Sequence, residues 1–153
     1  MAASLDIPRP VTFPRVSSCL PNFSIERHKD GSVMLPFDDG LILILLLPSP
    51  QNVEVVEVQG RWRAEAPATW ADALVEVATR VNAHNIMPKV TLVTLEDEEP
   101  KVSLVSSVPH FCPSGLSDAQ LRAFLTQAIV YTSEFFSTLR TELPELVTWE
   151  ETP

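Results

Sequence analysis

SDAQLRAFLTQAIVYTSEFFSTLRTEL, residues 117–143, carries the longest helical pattern in the chain. Ser117, Asp118, Ala119 and Gln120 read as a capping box. The Ser117 hydroxyl accepts the free backbone N–H of residue 120, and the Gln120 side chain reaches back to Ser117. Asp118 places negative charge at the positive end of the helix dipole, and Pro144 stops the run. The predicted rod is about 39 Å long. Leu121, Phe124, Leu125, Ala128, Phe135, Leu139 and Leu143 share one face. Ile129 and Phe136 widen that face on one side and Tyr131 on the other, to an arc of about 160°, where one buried contact takes up ~100°. Two readings fit: a helix set deep in a core, or a helix that packs on its own sheet and on another molecule. Each large apolar side chain left in water forgoes roughly 1.5–3 kcal/mol, and soluble monomers rarely keep such patches open. The second reading therefore makes Ile129, Tyr131 and Phe136 a partner surface, whose commonest cover is a second copy across a two-fold axis.

Outward from this helix the chain alternates hairpins and helices. Residues 90–95 and 102–108 read as strands joined by the acidic turn Glu96, Asp97, Glu98, Glu99 and Pro100. Residues 41–47 contain no polar side chain, as expected of a central strand covered on both faces or nearly so. A loop at 48–52 returns into a strand at 53–58, which implies an antiparallel hairpin. The strand at 33–37 contains Pro36, which confines it to an edge or a bulge, and residues 23–27 alternate as a strand does. Thr69 is the expected cap of a helix over 70–84 with a narrow apolar stripe, followed by Asn85 as a left-handed residue. Thr12 caps a short helix over 13–20. The core order is α-β-β-β-α-β-β-α, an α+β fold with about five mainly antiparallel strands and helices packed on them. Residues 1–10 read as a flexible arm, 11–145 as one domain and 146–153 as a tail.

Composition narrows the function. The chain has 153 residues, a net charge of −9 and two cysteines. Acidity in both halves argues against nucleic acid, whose phosphates need a basic stripe, and against an anionic membrane surface. Residues 1–10 show no signal-peptide pattern, and two cysteines make no disulfide framework. A cytoplasmic protein with reduced thiols is expected.

The search for chemistry returns little. His28, His84 and His110 share no metal-ligand spacing, and there is no G-x-S-x-G, G-x-G-x-x-G or Walker-type lysine. His110 and Cys112 lie two apart in a linking segment, a weak hint of a thiol–imidazole pair. Arg61 and Arg63 flank Trp62 and could hold a carboxylate. No catalytic residue, metal or cofactor is expected. The principal expectation is a non-enzymatic protein-binding module, chaperone-like or regulatory, acting as a homodimer. The alternative is a small-molecule binder or enzyme with a pocket near His110, Cys112, Arg61 and Arg63.

Several short strings fall in a familiar order. Val81-Asn82-Ala83-His84-Asn85-Ile86-Met87-Pro88-Lys89 resembles the N-x-x-N…P-K junction between the middle helix and fourth strand of YbjN-like bacterial proteins. Gly115 and Leu116 before Ser117 resemble that family's glycine-led entry into the last helix, Phe135-Phe136 its late aromatic pair, and Gly60-Arg61-Trp62 the end of its third strand. The resemblance spans residues 11–145. It departs at Pro21, at Cys112-Pro113 and in the acidic turn, which lacks a D-G. The resemblance implies a fold similar to type III secretion chaperones, a dimer, and a role labelled sensory-transduction regulation. It carries over no catalytic residue.

Overall fold

A computed structural model describes residues 6–48 and 54–149. In chain order the elements are α1 Phe13–Ser18, β1 Glu26–Arg27, β2 Val33–Phe37, β3 Gly40–Leu47, β4 Val55–Trp62, β5 Ala66–Pro67, α2 Ala71–His84, β6 Lys89–Leu95, β7 Lys101–Phe111 and α3 Asp118–Glu142. The class is α+β. The five long strands are those the hairpin pattern predicts; of the strand expected over 23–27 only β1 forms, and with the short β5 these make one seven-stranded antiparallel sheet. The path runs β1-β2-β3-β4-β7, with β5 continuing the line of β4 beside β7 and β6 on the other edge of β7. The Pro36 N–H is not missed, because β1 pairs only Val33 and Met34 and leaves Pro36 unopposed on that side.

Among the described residues, the three α-helices lie on one face. That face carries Val33 and Leu35 of β2, Ile42 and Ile44 of β3, Val56, Val58 and Trp62 of β4, and Leu104 and Val108 of β7, all buried. α3 crosses the middle, where Gly40 and Gly60 let it settle: a Cβ at Gly60 would collide with Ser106 Oγ and Thr132 Cγ2, and one at Gly40 with the Arg61 carbonyl and the Phe136 ring. α2 flanks α3 on one side, tied by Arg80 to Glu142 at 3.1 Å. On the other side α1 is tied by Arg15 to Asp118 at 2.8 Å. The capping box is formed, with Gln120 N–H donating to Ser117 Oγ at 3.1 Å and Ser117 N–H to Gln120 Oε1 at 2.9 Å.

Two local expectations are corrected. α2 is entered through a 3-10 turn, Ala68–Trp70, and no side chain caps it, Thr69 included. Asn85 is extended, with φ −128°, and ends the helix by donating its backbone and side-chain N–H groups to the Val81 carbonyl. Within the stretch read as an arm, Arg9 exchanges both backbone hydrogen bonds with Leu116 and pairs with Asp118; residues 1–5 lie outside the described residues. Beyond α3 the chain packs back as far as Trp149, whose ring meets Trp62 edge-on at 6.4 Å and lies under the Arg63 guanidinium at 5.2 Å.

The junction between α2 and β6 has its own device. The Asn82 side chain accepts from the Val90 N–H at 2.7 Å and donates to the Val90 carbonyl at 2.9 Å. These are the two bonds a neighbouring strand would make at that position.

Candidate functional site

Strand alternation sends every second side chain to the opposite face, and among the described residues no helix covers that face. Its register rows are Leu47, Val55 and Phe111; then Leu45, Glu57 and Pro109; then Met34, Leu43, Gln59, Ser107 and Lys89; then Pro36, Leu41, Arg61, Val105 and Thr91. Phe111 is 70% exposed and Leu47 42%. Leu41, Leu45, Val55, Val93, Leu95 and Val105 are half-buried. A hollow of about 350 Å³ opens here, floored by Met34, Leu41, Leu43 and Leu45 and rimmed by His28, Asp30 and Arg61. The polar side chains on the face hold one another: Arg61 Nε donates to Gln59 at 2.8 Å, and Ser107 Oγ donates to Glu57 at 3.0 Å. The run at 41–47 was expected to be covered on both faces or nearly so; helices cover one, and on the other Leu43 is 6% exposed while Leu41 and Leu45 are half-buried. Its continuous hydrophobicity was the available signal for this surface, because a hairpin sheet with helices on one side leaves the second apolar row in water.

The residues expected to form a partner surface fall elsewhere. Ile129 is 4% exposed and Phe136 2%, both inside the core of their own chain, and Tyr131 is half-buried against it. The wide arc is used internally: sheet, flanking helices and packed tail enclose α3 on more than one side. The exposure expected of Ile129 and Phe136 is therefore corrected.

The four residues of the alternative pocket are not brought together. His110 pairs in register with Val56 and Arg61 with Val105, five residues apart along β4 or about 17 Å. They also lie on opposite faces, His110 on the helix side with its ring 5.1 Å from Phe124. Cys112 is buried, its thiol directed at the Glu54 carbonyl at 3.6 Å, and burial pushes that thiol above its ordinary pKa. Burial raises Cys19 in the same way. A thiol in that state is a poor nucleophile. Arg63 is committed to Trp149 and donates to the Asp38 carbonyl at 3.3 Å. Among the described residues, no three His, Cys, Asp or Glu side chains gather as a metal site requires, and no helix is long and apolar enough to cross a membrane.

The family model named YbjN, described as "Putative bacterial sensory transduction regulator", matches residues 19–141. Among solved structures the fold is similar to the crystal structure of YbjN from E. coli, described as "a putative transcription regulator". The TM-score is 0.64 at 16% identity, over 88% of this chain and 96% of that one. At this identity the likeness is one of fold. No curated protein matches the chain.

Proposed function

We propose, from the premise that this chain belongs to the YbjN family, that it is a non-catalytic regulatory module which works by holding another polypeptide against the open face of its sheet. The observation that carries this reading is a largely apolar five-strand surface over which, among the described residues, no helix lies, the three described α-helices being on the other side. Faces of this kind mark contact sites, because a contiguous apolar patch in water is costly. At its centre Arg61 is hydrogen-bonded to Gln59 and Ser107 to Glu57, so another molecule can cover these four side chains without leaving them unpaired.

The test pairs two variants. Leu41→Asp with Leu45→Asp should abolish capture of the bound polypeptide and fail to complement a deletion, while circular dichroism shows it folded. His110→Ala with Cys112→Ala should retain both properties. A deletion-like phenotype in the second, folded variant would restore the enzyme reading.

A further inference from the structure

We infer that the occupant of the open face is a second copy of this chain. The two sheets meet face to face about a two-fold axis that lies in the interface and crosses β4 at Gln59. This rests on the reading of the open face as the contact surface and names what covers it.

The first support is the order of charge along β4. Its outward positions read Glu57, Gln59, Arg61: acid, neutral amide, base. β4 lies in the middle of the sheet, so this triad sits at the centre of the face. An axis running across the strand at Gln59 turns Glu57 of each copy onto Arg61 of the other, and Gln59 onto itself. An axis running along the strand would instead set acid on acid and base on base. Arg61 makes its side-chain bond to Gln59 and has no carboxylate partner among the described residues. The same axis lays β3 over β3: Leu43, in register with Gln59, meets Leu43, and Leu45 meets Leu41. One axis therefore satisfies both the central charges and the apolar strand beside them.

The second support is the charge of the face as a whole. Outward positions carry Glu26 and Glu57 against Arg61, Lys89 and Lys101, with Asp30 on the rim of the hollow and Lys101 paired with Asp97 and Glu65, on a chain of net charge −9. Self-repulsion is weakest where the surface is closest to neutral. Glu26 and Lys89 end the row of Gln59, so the like pairs they make across the axis stand at the rim, where water and salt screen them.

The third is size. Five strands about 4.8 Å apart and roughly eight residues long present about 500 Å² per copy, or about 1,000 Å² in all, the lower bound for a specific interface.

Sedimentation at micromolar concentration tests this. Wild type should dimerise. Glu57→Arg and Arg61→Glu should each weaken the dimer roughly tenfold or more, and the double reversal should restore it, which a merely structural effect would not do. Gln59→Cys should form a disulfide-linked dimer under mild oxidation, with wild type as the control for the buried Cys19 and Cys112. Circular dichroism checks each variant for folding. A wild type that stays monomeric overturns the inference. So does a dimer indifferent to charge reversal and not linked through residue 59, since its interface is then another surface. A monomer that holds a foreign polypeptide, and loses it when Leu41 and Leu45 become Asp, overturns the second copy as occupant and leaves the functional reading standing. If those substitutions change neither association nor complementation, both fall.

Discussion

Asp118 shows how much one side chain at a helix start can organise. It sits in the first turn of α3 and receives Arg9 and Arg15, each at 2.8 Å, while Arg15 also donates to the carbonyls of Arg9, Pro10 and Leu116. The Arg15 hydrogen bond, ahead of that from Arg9 and the charge of both, holds the Asp118 carboxyl below its ordinary value of 3.8. A depressed carboxyl stabilises the fold above its unfolded pKa, and the contribution is lost as pH falls through the folded value. Asp118→Asn should therefore unfold more readily than wild type at neutral pH. The two urea midpoints should converge between roughly pH 5 and pH 2, as the wild type loses what the variant never had. Parallel curves over that range would show that the pair does not link pH to stability.

At the level of elements, the approach of α3 to the sheet depends on what β3 and β4 leave out. Gly60→Ala puts a methyl group against Ser106 Oγ and Thr132 Cγ2, and overpacking of this kind costs about 1–3 kcal/mol. The urea midpoint should drop with an unchanged slope; an unchanged midpoint would mean that the helix yields freely there. The limits of α3 were legible because caps and prolines act within a few residues of themselves. Which side of each strand the helices would choose was not legible. β3 is apolar on both faces, so periodicity there is silent, and the run of residues 41–47 looked like a strand covered twice. The exposure of Ile129 and Phe136 was misjudged for a related reason. A wide helical arc reports how much of the helix is buried, and it does not say whether flanking helices or another molecule do the burying. The Asn82 device escaped notice because its partner lies eight residues away around the turn at Pro88, and only the folded chain brings the two together.

For the molecule as a whole, the one-sided placement of helices leaves two kinds of surface available for assembly, the open face and the border strand β6. β6 is seven residues long and rich in Val, Leu and Thr, the composition that templates cross-β growth when its outer edge is unguarded. In an antiparallel strand the N–H and C=O of one residue point the same way, so Val90, Leu92 and Thr94 share the outward edge. Asn82 occupies the first of the three. What looks like a local hydrogen-bonded pair is then a safeguard for storage and expression, because an incoming strand finds only the far half of the border to grip. Asn82→Ala protein, held well below its unfolding midpoint, should develop thioflavin-T fluorescence and sedimentable fibrils over days while wild type stays clear. A variant as clear as wild type would place the protection at another residue.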